Sequence, residues 1–151
     1  MLTVAEIMTR EPYTLGPDDT LEKAREMMAQ HLIRHIPVID DEDTLVGLIT
    51  QRDVLAAEDS TVLNRIGEDA SSDRYIAVSS VMTTPVQTTG ESASLRSTAM
   101  YLQQHKLGCL PVLSEGKLAG IITDSDFVQV AINLMEQLEL SGPEEVLFEE
   151  N

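Results

Sequence analysis

The amino-acid sequence predicts an α+β fold made of two similar units, each with the element order strand, helix, strand, strand, helix. Two observations support this prediction. Three short motifs occur twice in the same order, about 74 residues apart. Between them, helical spacing of apolar residues alternates with short apolar runs typical of strands. A repeat of this length is a complete supersecondary unit, so two copies indicate a pseudo-twofold pair.

The repeated motifs are a Met-Thr segment that ends in proline, an apolar-Pro-Val strand, and a Gly-x-x-Thr-x-x-Asp turn. Their two copies lie at Met8–Pro12 and Met82–Pro85, Ile36–Val38 and Leu110–Val112, and Gly47–Asp53 and Gly120–Asp126. Any one of these motifs is common. All three in one order, twice, indicate a duplicated unit.

The first unit opens with a capping-box sequence, Thr3–Glu6, which predicts a short helical turn to Met8. The elements predicted after it are a brief strand at Tyr13–Leu15, a helix carrying Leu21, Ala24, Met27 and Met28 on one face, strands at Ile36–Ile39 and Leu45–Ile49 joined by the turn Asp40–Asp43, and a helix from Gln51.

The second unit follows the same order. Its predicted elements are a strand at Val86–Thr88, a helix marked by Leu95, Thr98, Tyr101 and Leu102, strands at Leu110–Leu113 and Leu118–Ile122 around the turn Glu115–Lys117, and a helix from Asp124 to Leu140. A Gly-Pro pair after Ser141 ends that helix. We therefore divide the chain into a first repeat (1–66), a linker (67–74), a second repeat (75–140) and an acidic tail (141–151).

The last predicted helix carries two apolar stripes. One consists of Phe127, Val130, Leu134 and Leu138, and the other of Val128, Ile132 and Met135. One stripe can cover the sheet, and a second stripe requires a further partner. We predict a homodimer contact through the second stripe; burial of the helix between the two repeats is the alternative.

The composition argues against several classes of function. The 151 residues carry a net charge of −16 with only 10 Lys and Arg, which argues against a nucleic-acid partner. No apolar run approaches the length of a membrane span, and the N-terminus lacks a signal-peptide pattern. The single Cys109 cannot form an internal disulfide, which fits a cytoplasmic protein. With no nucleophile elbow and no glycine-rich phosphate loop, we predict that the chain is not an enzyme.

Over residues 4 to 138 these motifs resemble the CBS domain pair, or Bateman module, in its stand-alone form. The resemblance implies tandem CBS domains whose β-α-β-β-α repeats pack through their sheets. It implies two clefts between the repeats that bind adenosine-containing regulatory ligands: AMP, ADP, ATP or S-adenosylmethionine. It also implies a homodimer, and a separate effector protein would be the regulated partner. The acidic composition favours AMP or cationic S-adenosylmethionine over ATP.

The Thr-x-x-Asp turns are the main candidate ligand-binding residues. By themselves, Thr50 with Asp53 and Thr123 with Asp126 fit helix caps, and a helix start also suits a phosphate. The resemblance adds contacts of the Thr with ribose or phosphate and of the Asp with the ribose hydroxyls. It also implies that Ile36, Pro37, Leu110 and Pro111 form one wall of the adenine slot.

The basic candidates are Arg34, His35 and Arg52, whose matching positions face phosphates in the family. Repeat two has Gly108, Cys109 and Ser125 instead, and Lys106 is displaced by one turn. We therefore expect one tight and one weak phosphate site. Two other classes of function stay open: a metal-binding protein or cryptic enzyme that uses His31, His35, His105 and Cys109, and an interaction scaffold whose motifs only cap helices.

Overall fold

A computed structural model describes residues 1–64 and 75–141 of the chain. The first part contains α1 (Val4–Ile7), β1 (Thr9–Arg10), α2 (Leu21–His31), β2 (His35–Ile39), β3 (Leu45–Thr50) and α3 (Gln51–Asn64). The second contains a 3-10 turn (Val78–Ser80), β4 (Thr89–Gly90), α4 (Leu95–His105), β5 (Cys109–Ser114), β6 (Lys117–Thr123) and α5 (Asp124–Ser141). The predicted linker 67–74, and the predicted tail apart from Ser141, lie outside the described residues. The boundaries of the repeats therefore stay predictions.

The predicted α+β fold with two similar repeats is confirmed. Each repeat has an antiparallel hairpin, β2–β3 or β5–β6, preceded by a helix, α2 or α4, and followed by one, α3 or α5. Both hairpins shift register at the residue two after the proline. Both preceding helices end at a residue in the left-handed conformation, Leu32 and Lys106.

The first strand of each repeat is shorter than predicted. In repeat one, pairing in the predicted strand is limited to a single parallel bridge between Leu15 and Val38. In repeat two the prediction of a strand at Val86–Thr88 is wrong, because β4 begins at Thr89 and pairs in parallel with β5. Val86 packs instead against a small cluster between the repeats, formed by Leu48, Cys109 and Ile121. Strand pairing therefore begins only at Thr89.

The two repeats exchange their opening segments. Strand β1, at the start of the chain, pairs antiparallel with β6 of repeat two and makes its sheet four-stranded. In the opposite direction, Thr83 exchanges two backbone hydrogen bonds with Leu48 of β3, at 2.8 and 3.0 Å. Val4 is buried in the core of repeat two, and Val78 is buried in the core of repeat one. Each core is therefore completed by a segment from the other half of the chain.

The exchange explains why the Met-Thr motif and the Gly motif are repeated together. Met82 lies so close over Gly47 that a Cβ there would be 2.2 Å from the methionine sulfur. At Gly120 a Cβ would be 2.9 Å from the sulfur of Met8 and 2.6 Å from the carbonyl oxygen of Thr9. At Gly120 a larger residue would force the backbone of the exchanged segment to move, whereas at Gly47 it would displace the Met82 side chain.

Helix α5 lies on the surface, so the alternative of a helix buried between the repeats is wrong. None of its residues is buried, so it does not lie deep between the repeats. Phe127 and Val130 pack against the core of repeat two, as predicted for their stripe. Leu134 and Leu138, on the same stripe, are 54% and 70% exposed, because the helix continues past the core.

Candidate ligand-binding site

The described residues form two clefts, named A and B, where the repeats meet. The larger, cleft A, has a volume of about 510 Å³ and is built around the turn Thr50–Arg52 of repeat one. The segment Lys106–Cys109 of repeat two forms its opposite side. Its lining is completed by Arg34, His35, Leu48, Thr83 and Asp124. Cleft A is therefore bounded by the start of α3 in repeat one and by the segment that leads into β5 in repeat two.

The predicted helix cap is present at the floor of cleft A. The Thr50 amide donates to Oδ2 of Asp53 at 2.9 Å, and the Asp53 amide donates to the Thr50 hydroxyl at 3.1 Å. The Thr83 hydroxyl also donates to this carboxylate, at 3.1 Å to Oδ2. Asp53 thus caps α3 and holds the exchanged segment beside the cleft. It contributes no surface to the cleft lining itself.

Three cationic side chains line cleft A: Arg34, Arg52 and Lys106. Neither Arg52 nor Lys106 forms an ion pair with a carboxylate of the described residues. They come from both repeats and line the same cavity as the N-terminus of α3, where the Asp53 carboxylate already caps the helix. Asp124 also lines cleft A, so the lining carries three cationic groups and one carboxylate in a chain with a net charge of −16.

The smaller cleft, cleft B, has a volume of about 230 Å³ and is built around the turn Thr123–Ser125 of repeat two. Thr9, Pro12, Tyr13 and the segment Leu32–His35 of repeat one form the rest of its sides, with Ile121. The cap is again present: the Thr123 amide donates to Oδ2 of Asp126 at 2.8 Å. Within residues 1–64 and 75–141, Arg34 is the one Lys or Arg that lines this cleft, and the Asp124 carboxylate lines it as well.

The two clefts differ in their basic residues, but the residues that distinguish them are not the ones that the sequence predicted. Arg34 and His35 line both clefts, so they do not distinguish one cleft from the other. Arg52 and Lys106 line only cleft A. The displaced position of Lys106 brings it to the cleft of repeat one, where it adds to Arg52.

His35 lies at the centre of the junction between the repeats. Its ring covers Gly108, where a Cβ would be 2.9 Å from Nε2. Burial lowers the pKa of His35, and this effect outweighs the opposite effect of the nearby Asp124 carboxylate. The imidazole is therefore neutral at pH 7, and the charge of both clefts at that pH comes from the arginines, the lysine and the aspartates.

The apolar-Pro residues occupy a different place from the turns. Ile36, Pro37 and Pro111 are fully buried and Leu110 is 2% exposed, so these residues form the strand cores and line neither cleft. Each proline lies in a hairpin strand beside the short first strand, where the Leu15 amide donates to the Pro37 carbonyl at 3.1 Å. Their contact with a ligand stays a prediction.

The lining residues that were not singled out from the sequence as site residues include Tyr13, Thr83 and Asp124. Thr83 follows Met82 in a repeated motif, which was the one available signal. Asp124 is replaced by Gln51 in repeat one, so the repeat pattern does not mark it. Its position in both clefts depends on the packing of the repeats.

The alternative metal or catalytic set does not come together. His31 stacks on Tyr13 and His105 stacks on Tyr101, each with ring centroids about 4 Å apart. Residues 1–64 and 75–141 contain no group of three or more His, Cys, Asp and Glu side chains placed to hold a metal ion. Burial, with smaller effects of Asp124 and Asp126, raises the pKa of Cys109 to about 12, so its thiol is protonated at pH 7 and is not an activated nucleophile.

The fold and the two clefts define a duplicated α+β module with ligand-sized cavities between its repeats. A family profile for the CBS domain matches residues 4–60 and 78–133, and the chain belongs to this family. The family resemblance predicted from the sequence is thereby confirmed. In the part of the chain that the structure describes, no helix has both the length and the apolar character needed to cross a membrane.

Known proteins are similar over most of the chain. A crystal structure of a protein provisionally assigned to acetoin utilization (AcuB) from Vibrio cholerae is 43% identical, with a TM-score of 0.80, and covers 95% of this chain and 99% of its own. A crystal structure of CBSX2 in complex with AMP is 30% identical, with a TM-score of 0.74, over 89% and 99% of the two chains.

A longer relative is also similar. An uncharacterized protein from Methanocaldococcus jannaschii, MJ1225, is 35% identical over 127 residues. These residues are 84% of this chain and 42% of MJ1225, so the chain spans less than half of that relative.

Proposed function

We propose that the chain is a regulatory module that binds an adenosine ligand with a phosphate group, of which AMP is the simplest, in cleft A. The observation that carries the proposal is the convergence of Arg34, Arg52 and Lys106 on the start of α3 in a cavity of about 510 Å³. The likeness to CBSX2, whose crystal structure contains AMP, supports the same ligand class. Cleft A is the tighter phosphate site because Arg52 and Lys106 are absent from cleft B.

Comparison of AMP with adenosine separates the contribution of the phosphate to binding from that of the nucleoside. Each charge-assisted hydrogen bond to the phosphate contributes about 1.5–3 kcal/mol. Arg52→Ala and Lys106→Ala should therefore weaken AMP about ten- to a hundredfold in calorimetric titration, and they should change adenosine affinity less than twofold. Arg96→Ala is the matched control, because Arg96 is exposed on α4 outside both clefts.

A ligand panel then tests the function itself. AMP, ADP, ATP and S-adenosylmethionine should be compared by thermal shift, since a ligand at 100 times its Kd adds about 2.7 kcal/mol to stability. We expect the largest shift with AMP and about one tight site per chain. No shift with any of the four would overturn the proposal and favour the scaffold alternative, in which the Thr-x-x-Asp turns only cap helices.

We further propose that the protein acts as a cytoplasmic homodimer through α5 and regulates a separate effector protein, with no catalytic step of its own. The face formed by Val128, Ile132 and Met135 is 43–59% exposed, and Leu134 and Leu138 of the other stripe are exposed as well. An apolar surface along several helical turns favours a protein partner. A second copy supplies the same face without any further component.

A further inference from the structure

Cleft A and cleft B share a partition. Arg34, His35 and Asp124 line both cavities, so these three residues lie between the two clefts. Because His35 is buried against Gly108 and its pKa is lowered, the two permanent charges of the partition are those of Arg34 and Asp124. The two clefts therefore depend on the same pair of charges.

This pair of charges has no counterpart across the pseudo-twofold axis. Arg34 corresponds to Gly108, and Asp124 corresponds to Gln51. The backbone is nevertheless symmetric, because the Gln51 amide donates to the Arg34 carbonyl at 2.9 Å and the Asp124 amide donates to the Gly108 carbonyl at 3.0 Å. The charged side chains are thus added to a symmetric junction, and they join repeat one to repeat two.

The ion pair between them is easily exchanged. Nη2 of Arg34 lies 3.8 Å from Oδ1 of Asp124, and both side chains are more than half exposed, at 58% and 55%. Exposed pairs at this distance contribute little to stability. A phosphate in cleft A can offer the guanidinium shorter, charge-assisted hydrogen bonds.

We propose that Arg34 and Asp124 couple the two clefts through this exchange. A phosphate-bearing ligand in cleft A draws Arg34 away from Asp124, and the unpaired Asp124 carboxylate then opposes a second anionic ligand in cleft B. Cleft B is accordingly a site for a neutral or cationic ligand whenever cleft A holds a phosphate. The inference rests on the proposed function of cleft A.

A double-mutant cycle on the full chain tests the coupling. AMP is titrated by calorimetry at low salt into the wild type, Asp124→Asn, Arg34→Gln and the double variant. Asp124→Asn frees Arg34, so it should tighten the first AMP about two- to fivefold. In the Arg34→Gln background, Asp124→Asn should increase the affinity for the first AMP by less than half as much. The second, weaker AMP should also bind more tightly to Asp124→Asn than to the wild type.

Two controls separate the exchange from a general effect of charge. Asp41→Asn removes one carboxylate from a turn outside both clefts and should leave AMP affinity unchanged. Adenosine, which has no phosphate, should bind the wild type and Asp124→Asn within twofold of each other. An equal gain with and without Arg34, or two equal and independent AMP sites in the wild type, would overturn the coupling alone. Absence of AMP binding in every variant would overturn the proposed function and the coupling with it.

Discussion

Asp53 and Asp126 occupy matching positions, but their surroundings differ. Both carboxylates accept the backbone amide of the motif threonine, at 2.9 and 2.8 Å. Asp53 additionally accepts a hydrogen bond from the Thr83 hydroxyl of the exchanged segment. The role of Asp53 therefore extends from capping one helix to fixing the contact between the repeats.

We expect Asp53→Ala to lower the free energy of unfolding by about 1–2 kcal/mol, and Asp126→Ala by about 1 kcal/mol, in urea denaturation. Asp53→Asn is the control, since its amide oxygen can still accept from Thr50. Asp53 does not line cleft A, but the family resemblance implies that its carboxylate binds the ribose hydroxyls. For that role, Asp53→Ala should also reduce AMP affinity about ten- to a hundredfold in titrations. Unchanged affinity together with lower stability would mean that Asp53 serves only as a cap.

His35 makes stability depend on pH. Burial lowers its pKa in the folded state below the ordinary value of 6.5. Just below that pH the unfolded chain binds a proton at His35 and the folded protein does not, so stability falls as the pH drops through this window. His35→Gln should therefore flatten the pH dependence of unfolding between about pH 7 and pH 5.5. The wild type under the same conditions is the reference, and an equal slope in His35→Gln would contradict this origin of the pH dependence.

At the scale of elements, the two glycines that contact the exchanged segments, Gly47 and Gly120, should differ in how much stability is lost when each is replaced by alanine. At Gly47 the obstructing atoms all belong to the flexible Met82 side chain. At Gly120 the Thr9 carbonyl of β1 would be 2.6 Å from the new Cβ, so the backbone must move. Gly120→Ala should cost about 1–3 kcal/mol in chemical denaturation, and Gly47→Ala should cost clearly less. An equal cost would contradict the backbone contact as the cause.

The sequence was sufficient for elements that depend on local chemistry. The Thr3–Glu6 box begins α1 with the Thr3 amide donating to Glu6 at 2.7 Å, and the Asp40 carboxylate accepts the Glu42 and Thr44 amides in the predicted turn. The exchange of β1 was not predictable, because periodicity carries no information about which distant strand a segment joins. For the same reason the arrival of Lys106 and Asp124 in cleft A required the structure.

At the scale of the whole molecule, the exposed face of α5 and the net charge of −16 act in opposite directions. Burial of apolar side chains favours association by about 25 cal/mol per Å². Two strongly acidic chains repel each other, and salt screens that repulsion. A dimer through α5 should therefore become tighter as the salt concentration rises.

Sedimentation at micromolar concentration should give about twice the chain mass of 16.6 kDa. Ile132→Glu places a charge at the centre of the face formed by Val128, Ile132 and Met135, and it should shift the protein to monomer. Gln137→Glu adds the same charge on another side of α5, where the residue is also exposed, and should leave the dimer intact. Both variants keep Phe127 and Val130 on the core. At a protein concentration low enough to dissociate the wild-type dimer, the unfolding midpoints of both variants should therefore match that of the wild type. A wild-type monomer at every salt concentration would leave this face to a different protein and would exclude the homodimer.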